Sequence, residues 1–206
     1  MKKIVWISSY PKSGNTFLRA MLAAFFYSKD GTFKQDYLKN ISEFPRDFFD
    51  FKPKNNFLNE VKEYEKVQKK ISDTDKDVIF LKTHSANLII NETFPTINKD
   101  FTVCSIYIVR DPRNVILSLK NHYNLDIKKS FSLLTNEKNF ISMNNKDLSK
   151  GYTLTLDWAS NYLSWKNQKN INTIFVKFED LVFEQEKTFT YILSKLKEFI
   201  NFEIDQ

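Results

Sequence analysis

The chain contains little cysteine, histidine and glycine, and what it lacks excludes several classes of protein. Its one cysteine, Cys104, cannot form a disulfide within the chain and lies in an apolar run typical of a buried core. Two histidines, His84 and His122, are too few and too scattered to suggest a metal site, so we expect no metal. No apolar run approaches the roughly 18 residues of a membrane span, and the N-terminal run is too short for a secretory signal. We therefore expect a reducing, cytoplasmic setting without a membrane span.

What is present indicates one folded domain over residues 1–206. Hydrophobic residues make up 42% of the chain, with 20 phenylalanines, so apolar surface for a core is ample. The net charge of +6 suits an anionic ligand or nucleic acid. The lysines are spread along helical patterns among acidic residues, which is more typical of a solvated surface than of a nucleic-acid groove. We expect no nucleic-acid partner, and the sequence predicts nothing about the oligomeric state.

Short apolar stretches alternate with helical patterns along the chain. The stretches are apolar along their whole length and contain many β-branched residues, which is typical of strands that are buried on both faces. This alternation predicts an α/β fold, with a parallel sheet of the phosphate-loop type between two layers of helices. The predicted strands are 4–7, 78–81, 103–109 and 173–176, and the predicted helices are 15–28, 57–71, 113–123, 155–167 and 184–200.

A polar turn between the first strand and the first helix carries the strongest functional signal. Its sequence is YPKSGNT, residues 10–16. A helix start offers backbone N–H groups without partners, and the helix dipole adds positive potential, so an anion is favoured there. Lys12 adds a full charge, and Gly14 allows the tight turn. The lysine precedes the glycine, unlike in the nucleotide-triphosphate loop. The turn therefore predicts a site for one phosphate or sulfate group; an ordinary turn rich in small polar residues is the alternative.

Two further polar segments follow predicted strands. Lys82 and His84 come directly after the second strand, and a histidine at a strand end can act as a base near neutral pH. Arg110 follows the third strand, where its guanidinium and the hydroxyl of Ser118 can bind a second phosphate. Ligands of parallel α/β sheets collect beyond the carboxyl ends of the strands. The three segments therefore predict one site with two anion positions, although a structural histidine and chance placement of the arginine remain alternatives.

These three segments, in this order, resemble the sulfotransferases that use 3′-phosphoadenosine 5′-phosphosulfate (PAPS). Weaker matches at 157–165 and 176–181 extend the resemblance from Ile4 to Leu193. It implies in-line transfer of a sulfuryl group from PAPS to a hydroxyl or amine of an unidentified small-molecule acceptor, without a metal. The residues that the resemblance assigns are, for catalysis, Lys12, Lys82 and His84, and, for PAPS binding, Lys12, Ser13, Gly14, Asn15, Thr16, Phe17, Arg110 and Ser118.

Within that resemblance each residue has an implied role. Lys12 stabilises the leaving phosphate and His84 is the base toward the acceptor. Phe17, in place of the family's usual tryptophan, stacks on adenine. Arg110 and Ser118 bind the 3′-phosphate.

The sequence departs from the family pattern at two places. Asn15 replaces the commoner threonine, and its amide can still donate a hydrogen bond. Family members usually continue to a glycine-rich Arg-Lys-Gly segment that covers the 3′-phosphate, whereas here no glycine follows Gly151. We expect a natural short form, a truncated C-terminus, or a donor whose 3′ end is covered by something else, and we expect weaker binding of PAPS or PAP than in a full-length relative.

Two other functions remain open from the sequence. One is a catalytically impaired nucleotide-binding module of the same fold, which binds the product 3′-phosphoadenosine 5′-phosphate (PAP). The other is an ATP-dependent, kinase-like phosphate-loop enzyme. An acidic strand end for Mg²⁺ is not evident after 103–109, where Arg110 stands instead. The segments 31–56 and 136–151 have weak periodicity, and we expect insertions above the sheet that either cover the acceptor or pack on their own aromatic residues.

Overall fold

The computed structural model describes residues 2–45, 48, 57–138, 140–142 and 152–203. A short 3-10 helix, Gln35–Asn40, lies between the first helix and the second strand. The strands are β1 (Ile4–Ser9), β2 (Ser42–Glu43), β3 (Ile79–Thr83), β4 (Ile89–Ile90), β5 (Phe94–Pro95), β6 (Thr102–Val109), β7 (Phe140–Ser142), β8 (Tyr152–Leu154) and β9 (Thr173–Lys177). The α-helices are α1 (Asn15–Tyr27), α2 (Phe57–Ser72), α3 (Pro112–Tyr123), α4 (Ile127–Thr135), α5 (Trp158–Asn167), α6 (Phe178–Phe183) and α7 (Gln185–Leu196).

A five-stranded sheet in the order β2-β3-β1-β6-β9 forms the centre of the domain. Every neighbouring pair in it is parallel. The carboxyl ends of all five strands therefore lie along one edge of the sheet. This edge carries the turn after β1, the segment after β3 and the segment after β6, so the three predicted motif segments meet there as expected.

Helices cover both faces of the sheet, which confirms the predicted three-layer α/β fold. Side chains of β1 alternate between the faces, with Val5 and Ile7 in one core and Ile4 and Trp6 in the other. Residues that pack the first core from helices are Leu18 and Leu22 of α1 and Ile192 and Leu196 of α7. Residues that pack the second are Val61 and Tyr64 of α2 and Trp165 of α5. No helix in the described ranges is long and apolar enough to cross a bilayer.

The four predicted strands and the five predicted helices all form, with boundaries close to those expected. The sequence did not predict α4, α6, β2 or the two-stranded pairs β4-β5 and β7-β8. Parts of the two weakly patterned segments, 46–47, 49–56, 139 and 143–151, lie outside the described residues. Within the first of them Phe44 is buried in the second core, in edge contact with Trp6 and Tyr64. Its ring therefore packs the core and does not cover an acceptor.

Candidate active site

The connection from β1 to α1 has an unusual backbone path. Lys12 and Gly14 both have positive φ angles, 66° and 99°. Gly14 is the N-terminal cap residue of α1, and in the described part of the chain no side chain caps this helix. The backbone N–H of Phe17 donates to the carbonyl oxygen of Gly14 at 3.0 Å, and a helix start without a side-chain cap favours an anion at its remaining N–H groups.

Close contact with α6 fixes the position of this loop. A Cβ atom added to Gly14 would lie 2.1 Å from Cδ2 of Phe178, so the ring occupies the space where any other residue would have a side chain. The guanidinium carbon of Arg110 lies 4.5 Å from the centroid of the same ring. Nη1 of Arg110 donates a hydrogen bond to the carbonyl oxygen of Lys12 at 2.9 Å. Arg110 thus joins the ends of β6 and β1 in one structure.

The two predicted cations lie near each other, and this affects Lys12. Partial burial lowers the pKa of the Lys12 ammonium below its ordinary value, and the positive charge of Arg110 lowers it further. Only the effect of Arg110 arises because two cations share one edge of the sheet. A bound polyanion would reverse the second effect.

His84 lies beside the start of the same loop. Its Nδ1 lies 2.8 Å from the carbonyl oxygen of Ser9, a hydrogen bond in which Nδ1–H donates, and 3.3 Å from the hydroxyl oxygen of Ser9. A carbonyl can only accept, so this contact assigns the proton to Nδ1 and leaves the lone pair on Nε2. The backbone oxygen of His84 accepts a hydrogen bond from Nδ2 of Asn161 at 3.1 Å. The ring of His84 is therefore held at Nδ1 by Ser9, and its backbone is held by Asn161.

The electrostatic surroundings keep His84 neutral. Burial lowers the pKa of its imidazole to about 3, helped by the positive charge of Lys82 and, after it, of Arg19 and Lys12. The hydrogen bond to Ser9 acts in the opposite direction but does not outweigh them. The three cations that act on His84 come from β3, α1 and the turn between β1 and α1, so these elements converge on one site.

Lys82 does not stand alone in this site. Its Nζ lies 2.9 Å from Oε2 of Glu43, and the side chains of both residues are about nine-tenths buried, with exposed fractions of 10% and 12%. Glu43 had no signal in the sequence because it lies on a strand of only two residues without an apolar pattern.

Asn15 has a different part from the one the sequence suggested. Its Nδ2 donates to the carbonyl oxygen of Ile7 at 3.0 Å and to the hydroxyl of Ser9 at 3.2 Å. Both amide hydrogens are therefore used to join α1 to β1, and the expectation that this amide donates to the sulfuryl donor is corrected. Ser13 is buried, and its hydroxyl oxygen has no hydrogen-bond partner among the described residues. Thr16 is exposed.

The residues predicted to bind the nucleoside end are only partly brought together. Phe17 is 36% exposed on the first turn of α1, and its ring makes an edge contact with that of Phe178. An open cavity of about 670 Å³ lies beyond the end of β6 and is lined by Val109, Arg110, Asp111, Pro112, Arg113, Trp158, Lys177, Glu179 and Asp180. Ser118 is half-buried on α3 and does not line this cavity. In the described ranges no group of three acidic, histidine or cysteine side chains could hold a metal ion.

Comparison with known families agrees with this geometry. The family profile of the sulfotransferase domain matches residues 2–205, almost the whole chain. The chain belongs to the sulfotransferase domain family. Membership supports sulfuryl transfer as the general class of reaction. The comparison with curated proteins gives no match.

Two solved structures that contain PAP share the fold. A mouse sulfotransferase, SULT7A1, complexed with PAP, has a TM-score of 0.54 and 18% identity, and the match covers 100% of this chain and 60% of that one. A retinol dehydratase in complex with retinol and PAP has a TM-score of 0.57 and 15% identity, covering 100% of this chain and 62% of that one. This sulfotransferase-family chain therefore spans about three-fifths of the length of these two neighbours.

Sequence reasoning missed three residues that organise the site of this sulfotransferase-family chain. Phe178 lay inside the weak match at 176–181, but only the fold brings its ring against Gly14 and Arg110. Asn161, which holds the backbone of His84, lay inside the match at 157–165 and was not singled out. Glu43 depends on the pairing of β2 with β3, which no local pattern shows.

Proposed function

We propose that this chain transfers a sulfuryl group from PAPS to a hydroxyl or amine of a small-molecule acceptor. His84 is the base toward the acceptor, Lys12 stabilises the leaving phosphate, and Lys82 binds the sulfuryl oxygens. Arg110, with Ser118, binds the 3′-phosphate, and Phe17 packs on the adenine. Ser13, Gly14 and Thr16 surround the phosphosulfate, and Asn15 contributes through the backbone at the start of α1.

One observation carries the proposal: Nδ1 of His84 is bonded to the carbonyl oxygen of Ser9, three residues before Lys12. In-line transfer needs a base on one side of the sulfur and a cation on the other, and these two side chains have those chemical properties. Two buried polar atoms support the fit of an anionic donor. The hydroxyl of Ser13 and Nε–H of Arg110 have no hydrogen-bond partner among the described residues, and both can donate to phosphate oxygens.

The proposed step conserves atoms and charge. The acceptor oxygen or nitrogen forms a bond to sulfur while the bond between sulfur and the bridging phosphate oxygen breaks. The acceptor proton passes to Nε2 of His84, and the electron pair of the broken bond remains on the phosphate oxygen, next to the ammonium of Lys12. The products are the sulfated acceptor and PAP.

The low pKa of His84 suits this role once an anion is bound. The cations that lower its pKa also attract the anionic donor, whose charge offsets theirs. The imidazole is thus neutral before binding and becomes more basic when the donor is present. This coupling ties proton transfer to the presence of the sulfuryl group.

The test is sulfuryl transfer from labelled PAPS to pooled phenols, alcohols and amines. We expect His84→Ala to lower kcat by about 10² to 10⁴-fold with little change in PAP affinity, as loss of a general base does. Lys12→Ala should lower kcat by roughly 10² to 10³-fold. Lys29→Ala, at an exposed lysine just beyond α1, is the matched control and should keep wild-type activity.

Binding measurements separate the remaining functions. PAP should raise the melting temperature more than ATP does, because a ligand bound only by the folded protein stabilises it. Arg110→Ala should reduce the PAP effect, whereas Lys128→Ala, at an exposed lysine of α4 that does not line the cavity beyond β6, should not. PAP binding without transfer to any acceptor would favour the impaired module. Stronger stabilisation by ATP than by PAP would favour the kinase-like enzyme.

A further inference from the structure

We infer that Glu43 is a positioning residue for the sulfuryl-transfer site, where its carboxylate holds and partly neutralises Lys82. The inference rests on the proposed function and deepens it. Glu43 has two effects of opposite benefit: it lowers the affinity for the anionic donor, and it raises the rate of the transfer step.

The pairing of β2 with β3 sets this contact. Glu43 and Lys82 are directly opposite one another in the parallel register. Opposed residues of neighbouring parallel strands project their side chains from the same face of the sheet, so the carboxylate and the ammonium are brought together by the backbone itself. The distance of 2.9 Å between Oε2 and Nζ, with both side chains nearly buried, corresponds to a hydrogen-bonded ion pair.

The short strand β2 is fixed on both sides of Glu43. Just before it, Nη2 of Arg19 donates hydrogen bonds to the carbonyl oxygens of Leu38 and Ile41. Just after it, the backbone N–H of Phe44 donates to the carbonyl oxygen of Lys82 at 2.8 Å. The ring of Phe44 is buried in the core. The carboxylate therefore has a defined position at the sheet edge, although β2 has only two residues.

Fold stability alone does not account for this pair. Burying two charges costs desolvation energy that their attraction roughly repays, so apolar residues of similar size stabilise a fold as well or better. The pair lies two residues from His84, and Lys82 is the charged group that lowers the pKa of that imidazole most. A carboxylate bound to Lys82 offsets this positive charge. Glu43 therefore holds the ammonium of Lys82 in one orientation.

The same carboxylate is unfavourable for the donor. Arg19, Lys82 and Lys12 all act electrostatically on His84, so the region around His84 attracts anions. A negative charge inside that region repels phosphosulfate. Removing it should tighten donor binding and, by releasing Lys82, slow the transfer.

The experiment is a double-mutant cycle with Glu43→Gln, Lys82→Met and the double variant. Calorimetry gives the affinity for PAP, and labelled PAPS with saturating acceptor gives kcat. We expect Glu43→Gln to tighten PAP binding by roughly three- to tenfold, as removal of one like charge near an anion does. We expect its kcat to fall by about tenfold or more, because a misplaced catalytic group is costly. In the Lys82→Met background the same change should have no further effect on kcat.

Glu60→Gln is the matched control. Glu60 is also a buried carboxylate, and it accepts a hydrogen bond from the hydroxyl of Tyr64 at 2.9 Å. Both residues belong to α2, whose apolar side chains pack in the second core. This variant should lose stability and leave both PAP affinity and kcat unchanged. It shows what the loss of a buried carboxylate does when no catalytic side chain is involved.

Two results would overturn the inference. Weaker or unchanged PAP binding by Glu43→Gln would show that the carboxylate does not oppose the donor. Additive effects of Glu43→Gln and Lys82→Met on kcat would show that Glu43 does not act through Lys82. If the wild-type protein transfers sulfate to no acceptor, the proposed function fails, but the PAP affinities of wild type and Glu43→Gln still decide whether the carboxylate opposes anion binding.

Discussion

At the scale of single residues, Gly14 shows how the turn between β1 and α1 and the helix α6 constrain each other. Its φ angle of 99° favours glycine, and the ring of Phe178 fills the space beside it. Phe178 in turn lies under the guanidinium of Arg110, which is bonded to the loop at Lys12. The shape of the turn between β1 and α1 is therefore set by an aromatic ring more than 160 positions further along the sequence.

We predict that Gly14→Ala destabilises the fold and weakens PAP binding. The new Cβ atom would meet Phe178 at 2.1 Å, so the ring or the loop must move. Overpacking of this kind costs about 1 to 3 kcal/mol in the free energy of unfolding. Urea unfolding and calorimetry with PAP measure the two effects.

Gly31→Ala is the control for this prediction. Gly31 also has a positive φ angle, 73°, but nothing lies within 4 Å of the position of its Cβ. Both variants carry backbone strain, and only Gly14→Ala has the clash. If the two variants lose equal stability, the contact with Phe178 does not restrict the loop.

The residues that could be predicted are those that act close to a strand end. His84 and Arg110 directly follow apolar strands and Lys12 lies three residues after one, so their place at the carboxyl edge came from the order of elements alone. The role of Asn15 could not be predicted, because the direction of its amide depends on the distance from α1 back to β1. Glu43 was missed because its partner lies on another strand, 39 positions further along the chain, which only the sheet register brings opposite.

At the scale of elements, α5 supports the segment that carries His84. Asn161 donates hydrogen bonds to the carbonyl oxygens of His84 and Thr155, at 3.1 and 2.8 Å. Nε1 of Trp165 donates to the carbonyl oxygen of Ser85 at 3.1 Å. The hydroxyl of Ser164 accepts a hydrogen bond from the backbone N–H of Asn87 at 2.9 Å. One helix face thus fixes the backbone on which the proposed base stands.

We predict that weakening the start of α5 lowers activity as well as stability. Asp157 caps this helix by accepting a hydrogen bond from the backbone N–H of Ser160 at 2.9 Å. Asp157→Ala should cost about 1 kcal/mol in the free energy of unfolding, the usual cost of losing such a cap. Because Asn161 lies one turn further along α5, kcat should fall severalfold.

Asp126→Ala provides the comparison. Asp126 caps α4 in the same way, through the backbone N–H of Lys129 at 2.7 Å. It should lose similar stability and a smaller part of its kcat, since α4 makes no hydrogen bond to the His84 segment among those described and reaches the turn after β1 through the carbonyl oxygen of Leu133, which accepts from the Tyr10 hydroxyl at 3.0 Å. Equal losses of kcat in both variants would contradict a specific role for α5.

The elements that the sequence predicted are those with strong periodicity. The buried strands have continuous apolar runs, and α1, α2 and α7 have an apolar stripe that meets the sheet. The helix α4 was missed because it is short and two of its apolar side chains, Ile127 and Phe131, are exposed. The strand β2 consists of a serine and a glutamate, so its place in the sheet comes from tertiary contacts.

At the scale of the whole molecule, the neutral His84 links stability to pH. The pKa of its imidazole is about 3 in the folded protein, against about 6.5 in an unfolded chain. Between these values the unfolded state binds more protons than the folded state. Stability from this group is therefore fully present above pH 6.5 and is lost as the pH falls toward 3.

We predict that His84→Asn flattens the decline of stability in mild acid. A proton bound by the unfolded state and not by the folded state gives a slope of at most about 1.4 kcal/mol per pH unit. The contribution of His84 is smaller than this limit because part of its surface is exposed. Protonation of three carboxylates whose pKa values are lowered also destabilises the fold in acid. These carboxylates, Asp30, Asp36 and Asp111, are present in both the wild type and His84→Asn, so their effect cancels in the comparison. The difference between the two unfolding curves, measured by urea titration from pH 7 to pH 4, isolates the histidine. If stability falls equally with pH in the wild type and in His84→Asn, the pKa of His84 is the same in the folded and unfolded protein. That result would contradict a neutral imidazole held by Ser9.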